Sequence, residues 1–449
     1  MKGDFSRDTY DKSKDFLRVL MQQGRVHVDA DWNEQTAIFW DYLRTLAVDL
    51  GGKHGGDAFK LMLLGKDASD NEEDLGNSTD ADKVNRIVLR SEKNSFYYVD
   101  GFRCRESSKK LEQELWKKDN LPTENQVIFL DVWERHITYQ EDDSIREKAL
   151  GGADTASRSK LVCMPRSLSA ESGMQTFDDF VELNQIENRG CLSVALRARS
   201  NDQAAPCIQH PNAKLRGSEN QLYRIEIHST GRVGEQVPTT EEAPKPTWKW
   251  ARDNASVSFP VRSFEQSQDE TYVVLEHLGR DSKQQLQIGD FVELVIEDAE
   301  MESVAPRLLP VTKVNKNDFT VTLGGKIDGL FKDVEKMNPR LRKWSRGALP
   351  VDIGAVYRLE NGIEVQFHND VEEGSKKVGQ FKRGDYWLIP ARIADGTIEW
   401  PLGKGDSATP ARKPPRIVEH HYAPIAFLKV GAKYEFDPKK PRKTFPNKK

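Results

Sequence analysis

The feature that most constrains this chain lies at residues 19–52, VLMQQGRVHVDADWNEQTAIFWDYLRTLAVDLGG. Its second half reads as a helix. Asp31 is placed to cap the N-terminus, and Glu34, three residues on, completes a capping box in which orphan backbone donors find side-chain acceptors. Apolar residues follow at helical spacing, Trp32, Phe39, Leu43, Leu46 and Leu50, with Ile38 and Ala47 widening the stripe. Gly51 and Gly52 end it, because glycine accepts the left-handed conformation found past helix ends. A helix over 31–50 is about 30 Å long at ~1.5 Å per residue. Trp40 and Tyr42 fall off the main stripe, which predicts two apolar contact surfaces, one toward the helix's own domain and one toward a neighbouring subunit.

At 449 residues and 51.1 kDa the chain has room for several domains. Apolar content of 37%, charged content of 31% and a mean hydropathy of -0.69 describe a soluble protein with long polar insertions. The sequence has no run of apolar residues long enough to span a bilayer, and MKGDFSRDTYDKSKDF lacks the apolar core of a signal peptide, so synthesis in the cytoplasm with no membrane span is expected. Cys104, Cys163, Cys191 and Cys207 are widely spaced, which predicts reduced thiols rather than a zinc cluster or a disulfide framework. A net charge of -4 supplies no basic field, so nucleic acid is not an expected partner. The closing DPKKPRKTFPNKK is basic and proline-rich, and reads as a solvated tail.

The lead-in to the helix is polar, with Phe5, Tyr10 and Phe16 as pins. After the helix, the acidic stretch 67–82 has too little apolar surface to offset its ordering entropy and reads as a mobile loop. Short runs of β-branched and aromatic residues then predict strands at 95–104, 126–140, 190–198, 221–229, 247–252 and 256–261, with 126–140 as the central one. Loops at 142–159, 200–220 and 231–246 are long enough to be contact surfaces. Residues 271–325 show short strands at even spacing, the pattern of a small barrel with Val273, Leu275, Phe291, Val292 or Leu294, and Val321 in its core. A basic segment at 326–349 reads as carrying a short helix, and strands resume at 355–359, 363–368 and 385–390, ending in IVEHHYAPIAFLKV. The predicted fold is therefore α+β and mainly β. It comprises an extended segment and docking helix (1–56), a strand-rich body (57–270 and 326–432), an inserted small barrel (271–325) and a basic tail (433–449).

Candidate chemistry is sparse. DADWNE begins like a calcium loop, but Glu34 stands where a glycine is required and Trp40 where a bidentate glutamate is required, so capping is the better reading. Adjacent His420 and His421 point to opposite faces of a strand, which prevents them from sharing a metal. Glu134 and His136 share a strand face, as a cross-strand polar pair rather than an acid–base pair because no nucleophile signal lies near, and Trp248 and Trp250 share another, either as core or as a sugar platform. No nucleophile motif, metal motif or phosphate loop is present, so neither an enzyme nor a cofactor is predicted.

Six stretches, MKGDFSRDTYD, VLMQQGRVHVDADWNEQ, REKALGGADTASRSKLV, WKWARDNASVSFPV, GDYWLIPARI and HHYAPIAFL, resemble a bacterial family of unknown function whose members look like components encoded beside phage tail-like contractile injection systems. The likeness runs from Met1 to about Val430. Its opening motif also resembles, more weakly, the start of phage proteins that attach fibres to a baseplate, through Gly24, Arg25, Val26, Asp29, Asn33 and Glu34. The resemblance carries over no catalytic residue. It implies a structural part of the baseplate or its periphery, docked on other particle subunits in a homo-oligomer or symmetric assembly. The residues expected at that contact are Gly24, Arg25, Asp29, Asp31, Trp32, Asn33, Glu34, Phe39, Trp40 and Leu43. Competing readings are a carbohydrate- or surface-binding module, which requires exposed tryptophans, and a hydrolase, which requires a pocket with converging polar groups.

Overall fold

The computed structural model describes all residues except 67–70, 107, 109–110, 170–188, 198–212, 234–244, 280, 282–283, 297–305, 328–337, 370–378, 404–408 and 439–449. It is mainly β with one long helix, as the sequence predicts. The chain forms two compact units and passes repeatedly from one to the other. One comprises Thr9–Arg135, Ser159–Gln185 and Glu419–Lys449, and carries the helix. The other comprises Met1–Asp8, His136–Arg158 and Ile186–Val418, and carries a barrel.

In the helix-bearing unit, the strand Gln126–Ile137 is central, flanked by Arg158–Ser169 and His420–Val430, and the sheet continues through Lys433–Glu435 to Ser78–Asp80. Residues Ile128 to Trp133 are all buried, which explains why this strand reads as a continuous apolar run rather than an alternating one. A second sheet, in the order Glu72–Asp74, Lys60–Lys66, Arg86–Arg90 and Glu112–Lys117, packs Leu63, Ile87 and Leu89 into the same core as Ile128, Leu130, Ile425 and Leu428. Three sequence expectations are corrected in this unit. Residues 95–104 form two strands, Tyr97–Val99 and Phe102–Cys104, because Asp100 and Gly101 both take positive φ (50° and 82°) in a two-residue hairpin turn. Within the acidic stretch, 67–70 lies outside the described residues, but Glu72–Asp74 and Ser78–Asp80 are paired strands rather than free loop. The supposed tail from 433 begins as the paired strand Lys433–Glu435.

In the barrel-bearing unit, Trp248, Trp250, Tyr223, Phe367 and Trp387 fill a core built on two sheets. One sheet runs Arg346–Pro350, Thr247–Ala251, Gln221–Ser229, Tyr386–Arg392 and Thr397–Ile398; the other runs Cys191–Leu196, Ile363–His368 and Val356–Arg358. The barrel closes in the order Ser258–Gln266, Glu270–Leu275, Thr320–Gly324, Leu308–Asn315, Phe291–Val295 and Arg340–Trp344. It is therefore wider in sequence than 271–325, since its first and last strands lie outside that segment. Val273, Leu275, Val292, Leu294 and Val321 fill its core as predicted, and Val292 and Leu294 both qualify because they are two residues apart on one strand face. Phe291, on the other face, packs with Ala251, Ala255 and Trp344 instead. Part of the predicted helix in 326–349 falls outside the described residues, and the described remainder contains the strands Arg340–Trp344 and Arg346–Pro350.

Barrel closure sets a specific expectation. Leu341→Ala should cost about 2–5 kcal/mol, in the same range as Leu323→Ala, because both side chains are fully buried in one core. Urea denaturation of the two variants measures this, and a near-neutral Leu341→Ala would place the last strand outside the barrel.

Candidate functional site

The helix runs Asp29–Gly51. The predicted capping box is absent: the cap residue is Val28, which offers no side-chain acceptor, so Asp31 lies inside the first turn. There Asp29 and Asp31 place negative charge at the positive end of the helix dipole, which is the stabilisation this terminus has. Glu34 accepts instead from Thr9 Oγ1, tying the lead-in to the helix. At the other end Gly52 takes φ +89° and its amide reaches Val48 O at 2.7 Å, so the glycine stop is found where expected.

Which side of the helix faces in is the reverse of the usual arrangement. Only Ala30 and Ile38 are buried in it. The side turned to its own unit carries Glu34, Asp41 and Arg44, whereas Trp32 (76% exposed), Phe39, Trp40, Tyr42, Leu43, Leu46 and Leu50 (82% exposed) face solvent. The main apolar stripe is thus the exposed one and the side turned to its own unit is largely polar, a correction to the expectation of a second apolar surface facing that unit. The segment before the helix shares this character, with Leu17, Leu20, Met21, Val26 and Val28 exposed and Gln35 Oε1 accepting from the Val19 amide at 2.8 Å. Of the other residues expected at the contact, Gly24, Arg25, Asp29 and Asn33 are also exposed, and Gly24 takes φ +70° in a turn where the Arg25 amide donates to Gln22 O.

The inward side is held by a polar seat. Arg44 Nε donates to Asp100 O (3.3 Å), its guanidinium lies 4.1 Å from the Phe102 ring centroid, and His421 Nε2 is 3.4 Å from Nη2. His421 Nδ1 is 2.8 Å from Asp100 Oδ2, and hydrogen bonding to this imidazole holds the Asp100 carboxyl below its ordinary range. Gly101 must be glycine: besides its positive φ, a Cβ there would sit 2.7 Å from Arg44 O. Trp40 Nε1 donates to Glu134 Oε1 (3.1 Å), so Trp40 belongs partly to this seat. Glu134 is engaged with Trp40 and Ser159, whereas His136 packs edge-on to Phe5.

A second cluster lies inside the barrel-bearing unit and was not read from the sequence. On the strand Gln221–Ser229, Tyr223, Ile225 and Ile227 enter the apolar core, and the alternate residues Arg224 and Glu226 are also buried. Glu226 accepts from Arg224 Nε (2.6 Å) and Lys2 Nζ (2.9 Å), with Lys249 Nζ at 3.5 Å. Lys249 also pairs with Glu293 and stands 4.1 Å from the Trp344 ring centroid. Arg224 lies 3.7 Å from the Tyr386 ring centroid and donates to Asn254 Oδ1 (3.2 Å). Asn254 Nδ2 donates in turn to Gly3 O at 2.9 Å and Met1 O at 3.1 Å. Burial alone would raise both carboxyls; Lys2, Arg224 and Lys249 outweigh it at Glu226, and Lys249, Lys2 and Arg342 at Glu293. The result is Glu226 well below the carboxylate range and Glu293 at about 2. Around them Ser6 O accepts from Arg392 Nη2 (3.1 Å), Arg7 pairs with Glu399, and Asp8 pairs with Arg416. Residues of MKGDFSRDTYD, WKWARDNASVSFPV and GDYWLIPARI thus meet around a buried charge cluster whose outer pairs, Arg7–Glu399 and Asp8–Arg416, are exposed.

The model for the family of unknown function DUF6519 matches residues 1–190 and 185–435. The chain belongs to that family. Comparison with curated proteins and with solved structures gives no match. In the buried cluster Glu226 and Glu293 each face cations, whereas burial lifts the nearby Asp253 and Asp385 carboxyls to about 6.

The remaining candidates resolve similarly. His420 and His421 do point apart, and each imidazole Nδ1 meets its own aspartate, Asp131 (2.6 Å) and Asp100 (2.8 Å). Trp248, Trp250 and Trp387 are core, so they make no sugar platform. Cys104, Cys163 and Cys191 stand outside any disulfide, and Cys207 lies outside the described residues. Ser193 Oγ sits 2.7 Å from His368 Nε2 across a strand pair, and burial with Arg412 pushes that imidazole down to about 4, which keeps it a neutral partner at pH 7. The buried cations and acids were legible in principle as charged residues alternating with apolar ones in LYRIEIHS, FVELV and RLRKW.

The cluster makes stability acid-sensitive in a defined window. Glu293 is depressed from 4.5 to about 2, so its contribution is complete above about pH 4.5 and is lost as pH falls toward 2. Glu293→Ala should cost about 3–5 kcal/mol at neutral pH by leaving Lys249 short of a partner, whereas Glu293→Gln should also flatten the acid limb of a stability-versus-pH curve. An unchanged acid limb in Glu293→Gln would contradict the assignment.

Proposed function

We propose that this protein is a structural subunit of a phage tail-like contractile injection particle, at the baseplate or its periphery, docked through residues 16–51. The observation that supports docking is the inverted helix: its polar side is fixed to its own unit and its apolar side is left in water. Taking ~200 Å² for a fully exposed large side chain, the seven outward residues leave about 800 Å² of mostly apolar surface, more than the largest patch of an ordinary monomer. At about 25 cal/mol per Å², covering such a surface is worth several kcal/mol even after discounting the cost of association. The particle setting is supported by the resemblance of the opening motifs, whose DADWNE turn and helix coincide with this surface. Gly24, Arg25 and Asn33 are exposed in the same stretch, and Glu34 ties the lead-in to the helix through Thr9.

The test is incorporation. Phe39→Asp with Leu43→Asp should leave the circular dichroism of the subunit unchanged, since both side chains are exposed, and should remove the subunit from particles purified from the producing bacterium. Normal occupancy of the folded double variant would refute helix docking, and absence of the wild-type chain from any such particle would refute the setting.

A further inference from the structure

Resting on the docking reading above, the geometry points to a specific occupant of the exposed face: we infer that the helix Asp29–Gly51 pairs in parallel with the same helix of a second copy of this chain. The outward residues follow a heptad. Trp32, Phe39 and Leu46 recur seven apart in one position, and Thr36, Leu43 and Leu50 recur seven apart in the other, with alternating spacings of four and three between them. That is the a/d seam of a left-handed coiled coil, a pattern whose fit is to another helix rather than to a sheet or a loop. All six are exposed, and none carries a charge.

The flanking positions suit a copy of the same chain. In parallel register Gln35 lies beside Trp40 of the second helix and Tyr42 beside Ala47, so the edges of the seam bring no like charges together. Asp49 is the exception in sign, and the position it would meet, 54, is past the helix end at Gly51. The charged residues Glu34, Asp41 and Arg44 are on the opposite side, where Glu34 accepts from Thr9 Oγ1, Asp41 pairs with Lys12 and Arg44 holds the hairpin. The area agrees as well. About 800 Å² is what each partner contributes to a standard stable interface, and a second copy presents an equal and equally apolar strip. A two-fold or higher symmetric contact of this kind closes on itself and leaves no seam unfilled.

The experiment uses the full chain. Light scattering coupled to gel filtration should give at least twice the mass of one chain, and Leu43→Asp with Leu46→Asp should return it to the mass of one chain with its circular dichroism intact. In an otherwise wild-type chain, Leu46→Cys at the seam should form an intermolecular disulfide under mild oxidation, and Thr45→Cys, exposed but off the seam, should not. The cysteine pair keeps the test valid if the charged variants fail to fold. A wild-type chain that stays at the mass of one chain up to submillimolar concentration, or an oligomer that survives the charged substitutions, would overturn the pairing. Either result leaves particle docking standing if the wild-type chain is still found in particles, whereas self-association of a chain found in no particle would sustain the pairing and defeat the functional reading.

Discussion

Arg44 fixes the direction in which the helix faces. Its guanidinium is held at once by the Asp100 carbonyl, the Phe102 ring and His421, and Gly101 gives the helix backbone room to approach. With a charged side chain committed to the inside, helical periodicity leaves the opposite side to Trp32, Phe39, Leu43, Leu46 and Leu50. A soluble helix ordinarily buries its apolar stripe in its own core. Here a polar seat holds the helix to its own unit, and the apolar stripe is left in water.

The barrel-bearing unit uses charge in a different way. Lys2, Arg224, Lys249, Glu226 and Glu293 are paired inside the fold, a costly arrangement that persists only because each ion has a partner and further hydrogen bonds. Because Asn254 also binds the carbonyls of Met1 and Gly3, the opening residues are tied to that buried charge cluster. Residues of the opening stretch, of WKWARDNASVSFPV and of GDYWLIPARI thus have a folding role in this unit.

Much of the fold was legible because it rests on local pattern. The long strand ending at Ile137, the strand His420–Val430 and the alternation of Val292 and Leu294 all follow from periodicity over a few residues. What escaped reading depends on partners distant in sequence. A strand at 256–261 was legible, but that it and Arg340–Trp344 close the barrel shows only in the pairing of Ser258 with Arg342 and Phe259 with Leu341. The Asp100–Gly101 turn carried a hairpin signal, but it was submerged in an apparently continuous strand. The orientation of the helix was not legible, because apolar spacing identifies a stripe without saying what covers it. Asp31 and Glu34 match a capping box by spacing, yet the cap lies three residues earlier, at Val28, and Thr9 takes up Glu34.

The account therefore turns on whether the outward stripe is covered when the protein is assembled. Hydroxyl-radical footprinting read by mass spectrometry, applied to dilute subunit and to the assembled state, measures this at single residues. Trp32, Phe39, Leu43 and Leu46 should be modified readily in the dilute chain and strongly protected on assembly, with Phe319, exposed on the barrel, serving as an internal reference. Equal modification of the stripe in both states would show that nothing covers it, and the central claim would fail.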